Sequence, residues 1–168
     1  MKLGKFKPVI GMCSQGQRKD GVNEGGLFLY NNVFRNLCDS KPYIVQNSHF
    51  DNHQGYMQLY HTLERLNKPL LLGGDRSIAS SSVFASLKKF PDMQVIWMGA
   101  YPDLHTFTSS KTGDTHGSAL AVCTGLENEH WASRMNVKTL GFDRVNLVGV
   151  RGRIDEAEKK IIKDKKIR

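Results

Sequence analysis

Short, continuously apolar segments alternate with amphipathic stretches along this chain, and this alternation restricts the fold more than any other feature of the sequence. Strands that are apolar along their whole length are typical of parallel sheets, because helices cover both sheet faces. A strand-helix-strand order also favours parallel βαβ units. The segments interpreted as strands are residues 8–12, 43–46, 70–72, 95–98 and 145–150. The sequence therefore predicts an α/β domain with about five parallel strands.

The first two amphipathic stretches predict helices that cover this sheet. Residues 23–38 carry apolar side chains at helical spacing, namely Leu27, Tyr30, Val33, Phe34 and Leu37. Asp51 or Asn52 is expected to cap a second helix, which extends to residue 67. Its apolar face comprises Tyr56, Leu59, Tyr60, Leu63 and Leu66.

Two further helices follow later in the chain. Ser77 is expected to cap a helix that stops before Pro91, since proline cannot continue a helix. A last helix starts near Asp155 and runs into a lysine-rich tail. Residues 99–140 show no clear helix or strand pattern, and long loops after strand ends in α/β proteins usually carry binding or catalytic residues.

Composition limits the classes of protein that the chain can belong to. Its 168 residues suit one domain, spanning residues 1–168, and no apolar run is long enough to cross a membrane. Three widely spaced cysteines without a CxxC pair argue against a disulfide framework and favour a reducing, cytoplasmic location. The net charge of +8 includes +4 from residues 151–168. Because acidic residues interrupt those lysines, a solvated helix face is favoured over nucleic-acid binding.

Polar segments after strands three and four are the first candidate functional segments. Residues 73–77 (GGDRS) suit a tight turn in which Asp75 or Ser77 caps the next helix, and a plain strand-to-helix turn explains them adequately. Asp103 and His105 offer metal-ligand atoms after the fourth strand, but two residues rarely suffice for a site. His116, in a glycine-flanked loop, suits either a general base or a surface histidine.

A histidine pair elsewhere is a weaker candidate for metal binding. His49 and His53 have the i, i+4 spacing that allows two imidazoles to share an ion on one helix face. The glutamate of an HExxH motif is absent, and His49 precedes the predicted helix. Metal binding by this pair is therefore disfavoured.

Several segments, taken in order, resemble the arginase family of ureohydrolases. Residues 10–17 and 21–25 are similar to the family's N-terminal "IG…KGQ…GVEEGP" text, and residues 71–77 (LLGGDRS) to "LGGDHS". Residues 90–103 (FPDMQVIWMGAYPD) resemble "HPDLGVIWVDAHTD", residues 112–117 (TGDTHG) resemble "SGNLHG", and residues 148–151 (VGVR) resemble "IGLR". The resemblance covers nearly the whole chain. It implies a three-layer parallel sheet with helices on both faces.

The resemblance also implies a metal centre that this chain has largely lost. In the family, two manganese ions bridge a hydroxide that attacks the guanidinium carbon of arginine, yielding ornithine and urea. Arg76, Gly99 and Tyr101 stand where the family has metal ligands, and Asp103 alone keeps its ligand identity. The family's later aspartates have no counterpart in these 168 residues. We therefore expect no bound manganese or other cofactor, and impaired or absent arginase activity.

Positions that contact substrate in the family are better retained. The resemblance places contacts to the amino-acid end of arginine, and a catalytic histidine, in this chain. The contact positions are His105, Ser110, Thr112, Asp114, Asp155 and Glu158, and the proton-shuttle position is His116. His105 replaces an asparagine of the family. The set suits a small amino acid or an anion as ligand.

The resemblance implies the strand order 2-1-3-8-7-4-5-6, of which this chain supplies strands one to five. We therefore expect the N-terminal part of the fold, incomplete at its C-terminal end, with strands three and four as open sheet edges. Two functional hypotheses follow from the residues. One is an arginase-type hydrolase, active by descent or by complementation in an oligomer. The alternative is a non-catalytic binding or regulatory subunit with an arginase-like partner.

Overall fold

The computed structural model of the protein describes residues 5–14, 16, 21–46, 54–128, 130–152 and 154–168. Five strands form in the predicted order: β1 (Lys7–Met12), β2 (Tyr43–Gln46), β3 (Pro69–Gly73), β4 (Val95–Met98) and β5 (Val145–Val148). All strand pairings are parallel, as predicted. The fifth strand is two residues shorter than expected, because Gly149 takes a left-handed φ of 77° that ends the extended conformation.

The strands form two separate sheets. The first has the order β2-β1-β3, and the second pairs β4 with β5. Within the described ranges, the outer edges of β3 and β4 have no paired strand, in agreement with the expected open edges.

Helices connect successive strands, and two of them lie between residues 99 and 140, where none was predicted. They are α1 (Gly25–Leu29), α2 (Gln54–Arg65), α3 (Ala79–Lys89), α4 (Ala119–Thr124), α5 (His130–Ser133) and α6 (Glu156–Asp164). The second helix ends at Arg65, two residues early, and its predicted caps, Asp51 and Asn52, lie outside the described residues. The span 99–140 is not a continuous loop, since α4 and α5 lie within it.

The helical stretch before β2 differs from the regular amphipathic helix that was predicted. After α1 it continues as a π-helix over Tyr30–Phe34 and a 3₁₀ turn over Arg35–Leu37. This change of helical period rotates the apolar positions out of register. Tyr30 is buried, but Val33 and Leu37 are exposed, so the prediction of a single buried face was wrong for these two residues.

Asp75, and not Ser77, caps the helical segment that leads into α3. The Asp75 carboxylate accepts the Ser77 amide hydrogen at 2.8 Å, and a 3₁₀ turn over Arg76–Ile78 precedes the helix. Ser77 therefore lies inside the first turn. The last helix, α6, starts where the sequence predicted, near Asp155, which is its N-cap residue and accepts from the Glu158 amide at 3.0 Å.

Helices cover both faces of the first sheet. On one face, Val9, Val45 and Leu71 belong to the main core with α2 and α3. On the other face, Ile10 and Leu72 pack with Tyr30 and other residues of the stretch around α1. The basic tail is a solvated helix face, since its lysines are exposed while Ile161 and Ile162 pack on the core. Within the described ranges, no helix combines the length and apolar character that crossing a membrane requires.

Candidate functional site

One cavity of about 450 Å³ gathers nearly all of the residues singled out in the sequence. It lies beside the loops that follow β3 and β4 and the start of α6. The predicted site residues that line it are Arg76, Tyr101, Asp103, His105, Ser110, Thr112, Asp114, His116, Asp155 and Glu158. Gly99 is not among the lining residues described, and its amide donates to the Val148 carbonyl at the end of the second sheet.

The turn after β3 is held by close backbone packing and by a buried carboxylate. A Cβ on Gly74 would lie 1.8 Å from the Cys13 carbonyl oxygen, so only glycine fits at this position. Asp75 is buried and accepts hydrogen bonds from the amides of Gly16, at 2.7 Å, and Ser77. This network fixes the turn from which the Arg76 side chain extends into the cavity.

Arg76 forms an ion pair with Asp103. Its Nη1 atom lies 2.9 Å from Asp103 Oδ1, and its guanidinium carbon lies 5.3 Å from the centre of the Tyr101 ring. The Asp103 side chain is only 2% exposed, whereas that of Arg76 is 42% exposed. The Nη1 contact falls outside hydrogen-bonding geometry, so the attraction is mainly between charges.

Asp103 occupies an unusual environment. Burial raises the pKa of its carboxyl to about 6, although the positive charge of Arg76 and a 3.3 Å hydrogen bond from Trp97 Nε1 act in the opposite direction. Desolvation outweighs the ion pair because the guanidinium itself is partly hydrated. The backbone of Asp103 is also left-handed, with φ of 54°, a conformation that few non-glycine residues adopt.

His116 is fixed by the loop that follows β1. Its Nδ1 lies 2.8 Å from the Gly16 carbonyl oxygen, and its backbone amide donates to the same oxygen at 3.0 Å. A carbonyl can only accept, so Nδ1 carries a proton and Nε2 of the neutral ring has a lone pair. This tautomer is the one that a general base or a cation-binding imidazole requires.

Two hydroxyls stabilise the loop that closes one side of the cavity. Ser110 Oγ accepts from the Gly113 amide at 3.1 Å, and Thr112 Oγ1 accepts from the Asp114 amide at 3.2 Å. Each hydroxyl therefore keeps its own proton to donate. Such donors suit a carboxylate or another anion.

His105, Asp155 and Glu158 converge in another part of the lining. His105 Nε2 lies 3.7 Å from Asp155 Oδ2 and 3.5 Å from Glu158 Oε2. Glu158 is buried, and its Oε1 accepts the Leu104 amide hydrogen at 3.1 Å. Burial raises the pKa of Glu158, while the Leu104 amide acts in the opposite direction. The three ligand atoms all lie within 4.8 Å of one another.

Some residues of the site were not predicted individually. Gly16 connects Asp75 to His116, and a Cβ there would lie 2.5 Å from Asp75 Oδ1. The position of Gly16 in a glycine-containing loop after β1 is the sequence feature that could have indicated its role. Lys111 and Ile154 also line the cavity, but the sequence pattern does not distinguish them from ordinary loop residues. His49 and His53 lie outside the described residues.

This combination of parallel strands, connecting helices and a polar cavity at strand ends defines an α/β protein. The family model described as "Arginase family" matches residues 19–168. The arginase of Staphylococcus aureus strain MSSA476 is 31% identical, in an alignment that covers the whole chain and 64% of that relative. The arginase of Saccharomyces cerevisiae is 36% identical over 100 residues, which cover 57% of this chain and 30% of the yeast protein. The chain belongs to the arginase family.

Solved structures agree with the family assignment. The arginase of Bacillus cereus superimposes with a TM-score of 0.84 at 26% identity, covering 98% of this chain and 63% of the other. Entamoeba histolytica arginase in complex with L-ornithine gives a TM-score of 0.82 at 26% identity, covering 97% and 64%. The chain thus spans less than two thirds of the length of these relatives.

Proposed function

We propose that this chain binds a small amino-acid-like molecule in the cavity and does not hydrolyse arginine by a manganese mechanism. The observation that carries the proposal is the ion pair between Arg76 and buried Asp103 at 2.9 Å. The family resemblance assigns both positions to the metal centre. In this chain, a permanent cation therefore takes the place of a ligand and neutralises the aspartate that remains.

The residues at those positions do not fit a pair of manganese ions. Manganese requires several oxygen or nitrogen donors. Arg76 offers none, Gly99 has no side chain, and Tyr101 is a half-exposed phenol beside the guanidinium. A divalent ion next to Arg76 would also meet like charge in a partly desolvated cavity. No activated water is therefore expected from this centre.

The rest of the lining suits a zwitterion. Asp155 and Glu158 provide carboxylates for an ammonium group, and Ser110 and Thr112 provide hydroxyl protons for a carboxylate. Arg76 offers a second group for an anion, since a guanidinium binds carboxylates in a bidentate way. That an arginase from Entamoeba histolytica was solved with L-ornithine supports an amino acid as ligand class.

Metal content and urea release test the loss of hydrolysis. We expect the 168-residue chain, purified with excess manganese, to bind no ion through Asp103 and to release no urea from arginine. The variant Asp103→Asn should leave the manganese content unchanged. Two manganese ions per chain that depend on Asp103, or urea release, would overturn the proposal.

Ligand titration followed by amide NMR shifts tests binding. In EDTA-containing buffer, arginine and ornithine should shift amides of residues 110–116 with millimolar affinity, on the order of 4 kcal/mol. Asp155→Asn should weaken binding, and Asp92→Asn, at an exposed turn remote from the cavity, is the matched control. Glutamate and phosphate probe the anion side of the cavity. If none of the four compounds shifts these amides, the binding proposal fails.

A second candidate role is that of a subunit in an oligomer. The open edges of β3 and β4 favour it, because unpaired strand edges present backbone donors and acceptors to another chain. Light scattering on a size-exclusion column decides between a monomer and an assembly. A monomer at all concentrations tested would exclude self-association as the role of these edges.

A further inference from the structure

We infer that His105, Asp155 and Glu158 form a binding site for a single divalent transition-metal cation such as Zn²⁺, distinct from the positions that the family resemblance assigns to manganese. The inference goes beyond the proposed function and does not require an amino-acid ligand. Because both use the carboxylates of Asp155 and Glu158, the ion and the ammonium group of an amino acid would compete for them. It rests on the convergence of three donor atoms, on the groups that orient each donor, and on the burial of Glu158.

The donor atoms are close enough to share one ion. A zinc ion with bonds of about 2.0 to 2.2 Å accepts ligand pairs up to roughly 4 Å apart. His105 Nε2 lies 3.5 Å from Glu158 Oε2 and 3.7 Å from Asp155 Oδ2, and all three donors lie within 4.8 Å of one another. A small side-chain adjustment therefore completes the site. One imidazole and two carboxylates are a donor set that zinc accepts.

Hydrogen bonds hold each carboxylate in place. Glu158 Oε1 accepts from the Leu104 amide at 3.1 Å, which leaves Oε2 directed at His105. Asp155 Oδ1 accepts from the Glu158 amide at 3.0 Å, which leaves Oδ2 directed at the same ring. Each carboxylate thus uses one oxygen for support and presents the other. Support of this kind from outer groups is typical of metal sites in proteins.

A serine hydroxyl supports the imidazole of His105. Ser109 Oγ lies 3.3 Å from His105 Nδ1 and 3.3 Å from the Thr106 carbonyl oxygen, to which it can donate. A metal bound at Nε2, the atom that faces both carboxylates, would select the tautomer in which Nδ1 carries the proton and donates it to this hydroxyl. Ser109 is therefore a positioning residue for the histidine.

The burial of Glu158 adds to the geometric case for a cation. Its side chain is only 3% exposed, and in the described part of the chain the polar neighbour of Oε2 is His105 Nε2 at 3.5 Å, beyond a good hydrogen bond. The Leu104 amide is a close partner for Oε1, and a cation would supply one for Oε2, the second oxygen of this buried carboxylate. Helix capping explains Asp155 but not Glu158, since the Glu158 carboxylate points to Leu104 instead of back to the helix start.

The wider cavity also attracts a cation. Its lining includes four carboxylates, those of Asp103, Asp114, Asp155 and Glu158, against the two permanent cations Arg76 and Lys111. The opening of the cavity leaves room for water or a small ligand at the remaining coordination positions. Three protein ligands with open positions describe a site that exchanges its outer ligand, unlike a closed structural zinc site.

Zinc titration of the untagged, EDTA-stripped 168-residue chain tests the inference. Isothermal titration calorimetry should detect one ion per chain. The variants His105→Asn and Glu158→Gln should lower the affinity at least tenfold, and Ser109→Ala should lower it roughly tenfold through the lost support of the ring. The matched control is His61→Ala. His61 is an exposed histidine whose Nδ1 lies 3.0 Å from the Glu64 carboxylate, outside the cavity, so its removal should leave the zinc affinity unchanged.

A second readout keeps the test decisive if Glu158→Gln does not fold. In proton NMR spectra, bound paramagnetic Co²⁺ should strongly shift the imidazole proton signals of His105 in the parent chain. These shifted signals should be absent from the spectrum of His105→Asn. Binding that persists in His105→Asn, or no binding by the parent chain, would overturn the inference. If the parent chain binds no zinc but still binds ornithine in EDTA-containing buffer, the inference fails and the proposed function stands.

Discussion

The two sheets have similar strands but different surroundings. In the first sheet, Val9 and Ile10 face opposite sides and both are fully buried. In the second, Trp97 packs on the core, but Ile96 is 67% exposed and Met98 is 77% exposed. Both sheets are parallel and apolar along their strands, so strand composition does not distinguish them. What differs is the layer of helices, which covers both faces of the first sheet and one face of the second.

Stability should therefore reside in the first sheet. Burial of apolar surface stabilises a fold in proportion to the area removed from water. Residues such as Ile96 and Met98 contribute little to this term, because water already reaches most of their surface. The comparison leads to four predictions, the first with the largest expected effect.

Truncating one isoleucine in each sheet should give the largest difference in the free energy of unfolding. Ile10→Ala opens a cavity in a fully buried position and should lower the free energy of unfolding by about 2 to 5 kcal/mol. Ile96→Ala, on a strand of the second sheet, should change it by less than about 0.5 kcal/mol, because water already reaches most of this side chain. Urea unfolding followed by circular dichroism measures both. Equal losses would contradict the comparison.

Removing Asp75 should have the next largest effect. Its buried carboxylate binds the amides of Gly16 and Ser77 and the Ser77 hydroxyl, and alanine would leave these donors without a partner. The expected loss is about 2 to 4 kcal/mol in the same unfolding assay. Asp92→Ala, at the exposed turn before β4, is the control and should be nearly neutral. A similar loss in both variants would indicate a nonspecific charge effect.

Substitutions at two neighbouring residues of β2 should distinguish the effect of burial on stability from the effect of lying on an edge strand. Val45 is buried and Ile44 is half exposed, although both lie on the same outer strand. Val45→Ala should cost about 1 to 2 kcal/mol, and Ile44→Ala should cost less than half of that. If Ile44→Ala proves the more damaging, edge pairing and not burial dominates at this strand.

Charging the exposed face of the second sheet should have the smallest effect on stability. The double variant Ile96→Lys, Met98→Lys removes large apolar side chains from a solvent-facing surface, so the urea midpoint should stay within error. Its solubility limit should rise, which sedimentation of concentrated samples measures. A large drop in the midpoint would mean that this face is covered in solution.

Much of the fold was predictable because periodicity and apolar runs depend on local sequence. The bounds of β2 and β4 matched, and Asp155 was correctly placed at the start of α6. The change to a π-helix at Tyr30 was not predictable, since nothing in the sequence marks the change of period. Helix α4 could have been found, because residues 119–123 are an apolar run, but six residues are too few for a clear period.

The resemblance predicted many of the residues that line the cavity, but not the contacts between them. The resemblance selected residues that do line one cavity, including Ser110 and His116. It implied that Arg76 and Asp103 lie near each other, since both stand at positions of the family's metal centre. It could not reveal the ion pair between them, because no local sequence pattern connects residues 27 positions apart. Nor could the sequence show that Glu158 is buried, since its place in a lysine-rich helix suggests a solvated side chain.

The left-handed backbone at Asp103 has a consequence for the kinetics of local opening. This conformation points the Asp103 carbonyl oxygen at the first turn of α4, where it accepts the amides of Leu120, at 3.0 Å, and Ala121, at 3.1 Å. Those two protons can exchange with solvent only when the carbonyl moves away. The deuterium uptake of two amides in a buried helix therefore reports how often the loop that carries Asp103 opens, without any ligand being present.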